Sequence, residues 1–89
     1  MATRESVEAC LQQCENAIQI AQQQYTAGTK QAHYHDEDYS NALQGLENAA
    51  NELLKMTDSA SHQQREQLHR MRLQVQQLQN EMILLDHDH

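Results

Sequence analysis

The sequence has no proline, no phenylalanine and no tryptophan, and Gly28 and Gly45 are its only glycines. Proline and glycine break helices and build turns. A chain almost free of both is ill suited to strands, hairpins and long loops, and well suited to long helices. The aromatic residues are Tyr25, Tyr34 and Tyr39. The side chains that bury most area are thus missing, and apolar residues make up 38% of the chain. Its 89 residues give one domain, 1–89, and so short a chain buries a modest share of its surface. Small chains in that position add a disulfide, a metal or a partner chain.

Positive charge is scarce as well. Six Lys/Arg stand against 13 Asp/Glu, a net charge of −7. That balance disfavours nucleic acid and anionic lipid as partners. The acid is uneven: residues 1–58 hold three Lys/Arg and nine Asp/Glu, and residues 59–89 hold three Arg and four acids. No apolar run approaches the ~20 residues that cross a membrane, and no basic start leads into an apolar segment as a secretory signal would. The expectation is a cytoplasmic protein.

Cys10 and Cys14 stand four apart, on one face if the segment is helical. Side chains stacked in that way are poorly placed for a disulfide, and a reducing cytosol disfavours one. Without a second cysteine pair, a four-Cys zinc site cannot form. The two thiols read as small core residues.

What the chain does have is apolar periodicity. Val7, Leu11, Cys14, Ile18, Ala21 and Tyr25 alternate spacings of 4 and 3 and define a first helix over about 4–30. Thr3 is placed to cap it, with Glu5 and Glu8 at the positive end of its dipole. Gly28 either ends this helix or is carried inside it at roughly 1 kcal/mol.

Tyr39, Leu43, Leu46, Ala50, Leu53 and Thr57 form a second stripe over 36–57, with Ala42, Ala49 and Met56 beside it. Leu68, Met71, Val75, Leu78, Met82 and Leu85 form a third over 61–85, and residues 86–89 read as a frayed tail. The break between these two is TDSAS, and Ser61 with Gln64 matches a capping box. Short connections make antiparallel neighbours. The fold class is therefore all-α: a three-helix up-down-up bundle, or a long helical hairpin, with coiled-coil-like heptad seams and a dimeric state.

Chemistry is concentrated in HYHDEDYS, residues 33–40. As a helix start, Asp36 caps the second helix, and Glu37 and Asp38 fill its first turn, where negative charge is favoured. As a metal or sensing site, His33 and His35 would act with Asp36 and Asp38. Two histidines in a connection fall short of the four ligands of a closed site. Helical carboxylate sites use Glu-x-x-His pairs on inner faces, whereas Glu66 and His69 lie off the third stripe. The helix start is the favoured reading, and neither a metal nor a cofactor is expected. The histidine-rich tail offers at most weak binding through His87 and His89.

Two surface features point to partners instead. His62, Arg65, His69, Arg72 and Gln76 share an outer stripe, read either as a solvated face pairing with Glu8 and Glu15 or as an acidic-partner patch. Leu73, Ile83 and Leu84 fall off the third stripe, and Ile83 and Leu84 widen the apolar surface at the helix end. The interaction residues expected are thus Leu73, Ile83, Leu84, Arg65 and Arg72, with a second copy or another protein as partner.

HYHDEDYSNALQGLENA and QQREQLHRMRLQVQQLQNEMIL resemble segments of a family of short proteins from Bacillus and related spore-formers, a domain of unknown function. The resemblance covers nearly the whole chain. It implies a bacterial, cytoplasmic protein of unassigned role and carries over no catalytic or binding residue. Neither a Ser-His-Asp arrangement nor a phosphate loop is present. The expected function is a non-enzymatic structural or interaction module; the alternative is weak metal binding or His-based sensing through 33–38.

Overall fold

The computed structural model describes residues 2–30 and 36–87, with all their side chains except those of 29, 30, 36, 86 and 87. Three helices account for nearly all of them: α1 (Arg4–Lys30), α2 (Asp36–Asp58) and α3 (His62–His87). No strand occurs among the described residues. The body measures 47 × 18 × 15 Å. A 27-residue helix spans about 40 Å at 1.5 Å per residue, so the three helices lie side by side along the long axis.

Their directions follow from contacts at the two ends. At one end Ala2 N donates to Ser59 O (2.6 Å), and Gln64 Nε2 reaches Ala2 O (3.5 Å). The start of α1 therefore sits beside the α2–α3 turn. At the other end the Tyr39 hydroxyl donates to Met82 O (2.6 Å), tying the start of α2 to the last turns of α3. Between them Cys14 Sγ lies 3.9 Å from Ala49 O. α1 and α3 run parallel, and α2 runs opposite to both: the expected up-down-up order.

Local chemistry sets the helix starts. Thr3 Oγ1 accepts from Ser6 N (3.0 Å), capping α1. Ser61 and Gln64 form the reciprocal capping box: Gln64 N donates to Ser61 Oγ (3.2 Å), and Ser61 N donates to Gln64 Oε1 (2.9 Å). Three residues, 59–61, turn the chain between α2 and α3. Gly28 does not end α1. It is buried within the helix, which continues to Lys30, and no glycine has a positive φ. α3 runs to His87, two residues past the expected Leu85.

The core is one cluster drawn from all three helices. In α3 the buried side chains are Leu68, Met71, Val75, Leu78 and Met82, as the stripe required. In α1 and α2 the inner line is displaced toward smaller residues. Cys10 is buried while Leu11 and Ile18 are partly exposed; Ala42 and Ala49 are buried while Leu43 and Ala50 lie at the edge. Small residues admit a close neighbouring helix, and the larger aliphatics flank the contact. Every seventh residue of the α1 inner line reads Val7, Cys14, Ala21, Gly28, and all four are buried. This line shrinks toward the end where α2 inserts Tyr39 and α3 inserts Met82, both fully buried. No polar side chain is buried among the described residues.

Candidate interaction surface

The two thiols belong to the core. Cys10 and Cys14 are buried and free. Burial pushes the Cys14 thiol up to about 12, and the neighbouring Cys10 adds to the shift. Burial also raises Cys10, while its hydrogen bond with Cys14 pulls the other way. Both shifts favour the protonated form, the reverse of what a nucleophilic or metal-binding thiolate needs.

Of the alternative metal set, His33 and His35 lie outside the described residues, and so does the Asp36 side chain with its expected cap contact. Asp36 is the first residue of α2. Asp38 is exposed beside Gln24 and Asn41 on an open groove of about 440 Å³ between α1 and α2. Its floor is small: Ala17, Ala42 and Gly45. Glu66 and His69 point outward, and Glu66 pairs with Arg70 at 3.0 Å. Among the described residues no three His, Cys, Asp or Glu side chains gather where they could hold a metal.

The outer stripe of α3 is anchored by Arg65. Its Nε donates to Thr57 O (3.3 Å), satisfying a carbonyl at the C-terminal end of α2. Arg65 therefore faces α2. His69, Arg72, Gln76 and Ile83 lie 4, 7, 11 and 18 residues further on, all near the same rotational position. Along this side α3 presents two arginines, two amphipathic polar residues and an isoleucine to the edge of α2. The expected pairing with α1 does not form: Glu8 is bound by Arg4 within its own helix (3.1 Å).

Among the described residues five large aliphatic side chains are exposed: Ile20 (57%), Leu54 (44%), Leu73 (52%), Ile83 (44%) and Leu84 (65%). The three on α3 are those that fell off its stripe. Leu73 and Leu84 are three turns apart, opposite the core. Ile83 lies on the α2 side. Leu54 and Ile20 went unrecognised in the sequence. Each adjoins a buried position, Leu53 and Ala21, so a one-residue offset from the inner line was the signal. Ile20 borders the α1–α2 groove. The other four lie on α2 and α3.

Over residues 1–84 the chain matches the family described as "Protein of unknown function (DUF2524)". It belongs to the DUF2524 family. It is also 55% identical over 84 residues to "Uncharacterized protein YtzC" of Bacillus subtilis (strain 168), a match covering 94% of this chain and 93% of that relative. The resemblance drawn from residues 33–49 and 63–84 is thereby shown, and the relative is bacterial as it implied. No solved structure matches. No helix is long and apolar enough to cross a membrane among the described residues.

Proposed function

We propose that this DUF2524 member is a non-enzymatic cytoplasmic protein that works as a structural or protein–protein interaction module, assembling as a homodimer through its helical surfaces. The observation that carries this reading is the placement of its aliphatic side chains. Alanines, cysteines and a glycine occupy much of the inner line, while Leu54, Leu73, Ile83 and Leu84 remain exposed on α2 and α3. Single exposed leucines are ordinary. Here Leu54 and Ile83 flank the shared α2–α3 side, with Leu73 and Leu84 on the outer side of α3, and they offer apolar area to a partner. The spacing of 3 and 4 between buried positions suits coiled-coil packing.

Several features weigh against catalysis. A catalyst holds ionisable groups in a concave pocket with their acidity tuned for proton transfer. Here both shifted thiols are sealed in an apolar core and held protonated. The α1–α2 groove is floored by alanine and glycine and rimmed by amides, with Asp38 its one ionisable group and that exposed. The charge of −7 disfavours nucleic acid and anionic membranes.

Sedimentation equilibrium over a wide concentration range tests the reading. The expected species has twice the 10.3 kDa chain mass. A strict monomer at millimolar concentration would refute the dimer.

A further inference from the structure

Charge is divided between the helices that carry the exposed aliphatics. α2 holds six carboxylates and one lysine, a formal −5. α3 holds three arginines and three acids and is formally neutral. On α3 the edge that faces α2 is the one bearing Arg65 and Arg72. On α2 the opposite edge faces α1, because Asp38, Asn41 and Gly45 line the α1–α2 groove. Leu43, Glu47, Leu54 and Asp58 therefore lie on the edge toward α3. The long face shared by α2 and α3 thus has an acidic column and a basic column side by side, with Leu54 and Ile83 among them.

The heights of these groups match. Tyr39 lies level with Met82, and the two helices run opposite ways, so Glu47 is level with residue 74 and Asp58 with residue 63. Arg72 and Arg65 are each two residues away in height, about 3 Å at 1.5 Å per residue. Among the described residues Glu47, Asp58 and Arg72 form no ion pair, and Arg65 uses its Nε on a carbonyl.

We propose that the α2–α3 face is self-complementary and binds a second copy of this chain about a two-fold axis parallel to the helices, with Glu47 of each copy meeting Arg72 of the other and Asp58 meeting Arg65. The inference rests on the dimeric reading above and specifies its surface. The axis follows from the charges. A two-fold axis perpendicular to the helices would lay α2 on α2 and α3 on α3, acid against acid and arginine against arginine. The parallel axis sets α2 of one copy beside α3 of the other. These two helices run in opposite directions, so all four neighbours in the shared layer are antiparallel, as in a four-helix bundle. Leu54 and Ile83 become covered. The area is of the right order: α2 runs for 23 residues, about 35 Å, and the body is 18 Å wide, about 630 Å² before side chains extend its edges, against about 800 Å² per partner in a stable interface.

Charge reversal tests this pairing on the full chain. Glu47→Arg and Arg72→Glu each place like charges across the interface twice, and each should weaken dimerisation at least tenfold by sedimentation equilibrium. Helical circular dichroism reports whether each variant is folded. An equimolar mixture of the two restores both contacts between unlike copies and should regain dimers at wild-type affinity; a contact within one chain would not be rescued by mixing. Ile20→Asp, on the α1–α2 groove, should leave dimerisation unchanged. Rescue by mixing with an unaffected Ile20→Asp establishes the face. A wild-type dimer indifferent to both reversals overturns this face and leaves the dimeric reading standing. A wild-type monomer overturns both.

Discussion

Cys14 makes alkaline stability a direct readout of core packing. Its thiol is pushed from an ordinary 9.0 up to about 12, chiefly by burial. Between those two values the folded chain keeps a proton that the unfolded chain releases. A raised folded pKa of this kind gives stability that is complete below pH 9 and is lost as pH rises toward 12. Each unit of pH in that window removes about 1.4 kcal/mol for one thiol. The loss is on the order of 1 kcal/mol near pH 10 and a few kcal/mol by pH 12, a large part of the roughly 5–15 kcal/mol that holds a domain folded. Cys14→Ala removes the ionisable group and leaves a small cavity whose cost does not vary with pH. Urea unfolding under reducing conditions, followed by helical circular dichroism from pH 7 to pH 11, gives both curves. Cys10, whose own shift depends on Cys14, is replaced by alanine in both proteins, so that the difference reports Cys14 alone. The protein that keeps Cys14 should start more stable and lose that advantage above pH 9. Curves that stay parallel to pH 11 would refute a thiol sealed from water.

Tyr39→Phe keeps the buried ring and removes the hydroxyl that donates to Met82 O (2.6 Å); it should cost about 0.5–1.5 kcal/mol, seen as a melting temperature lower by several degrees. Ser61→Ala deletes half of the box that starts α3 and should cost about 0.5–2 kcal/mol in urea unfolding. Gly45→Ala should stabilise by about 0.5–1 kcal/mol, because an added Cβ meets nothing within 4 Å and the unfolded chain loses freedom; a fall in stability would contradict that open space. If residues 33–38 act as a helix start, EDTA leaves the melting temperature unchanged, and a marked drop would favour metal held by His33 and His35.

Much of the fold was legible because the sequence has few interruptions and clear caps. α3 was the plainest case. Its background of Gln, Arg and Glu leaves one apolar line, and that line is buried from Leu68 to Met82. Thr3 and the Ser61–Gln64 box announced two helix starts, and both hydrogen-bond as their residue types require. The inner lines of α1 and α2 were harder. Periodicity alone weighs Leu11 above Cys10 and Leu43 above Ala42, since larger apolar residues give the stronger signal. Packing reversed that order, because three close helices favour small side chains on the line of nearest approach. The role of Arg65 was hidden for a different reason. Its bond to Thr57 O crosses a turn, and a carbonyl acceptor leaves no trace in side-chain patterns. Nor did spacing reveal that Glu8 would be bound by Arg4, since a pair within one helix competes equally well with a pair across two.

The same reversal bears on function. A monomer optimised for its own stability would bury its largest aliphatics and expose its alanines. Here Ala21, Ala42 and Ala49 are inside while Leu54, Leu73 and Ile83 are outside. Leu54 and Ile83 keep 44% of their surface exposed and Leu73 keeps 52%, so the fold of one chain leaves about half of the burial of each unrealised. That exposed remainder is covered only against something else, at roughly 25 cal/mol per Å² removed from water. The exposed salt bridges cannot substitute for that burial: Arg4–Glu8, Lys55–Glu52 and Arg70–Glu66 are all solvent-exposed pairs within single helices, each worth well under 1 kcal/mol. In the proposed dimer, association is the step at which Leu54 and Ile83 would add to stability, and the acidic edge of α2 beside the arginines of α3 would supply the polarity that makes it specific.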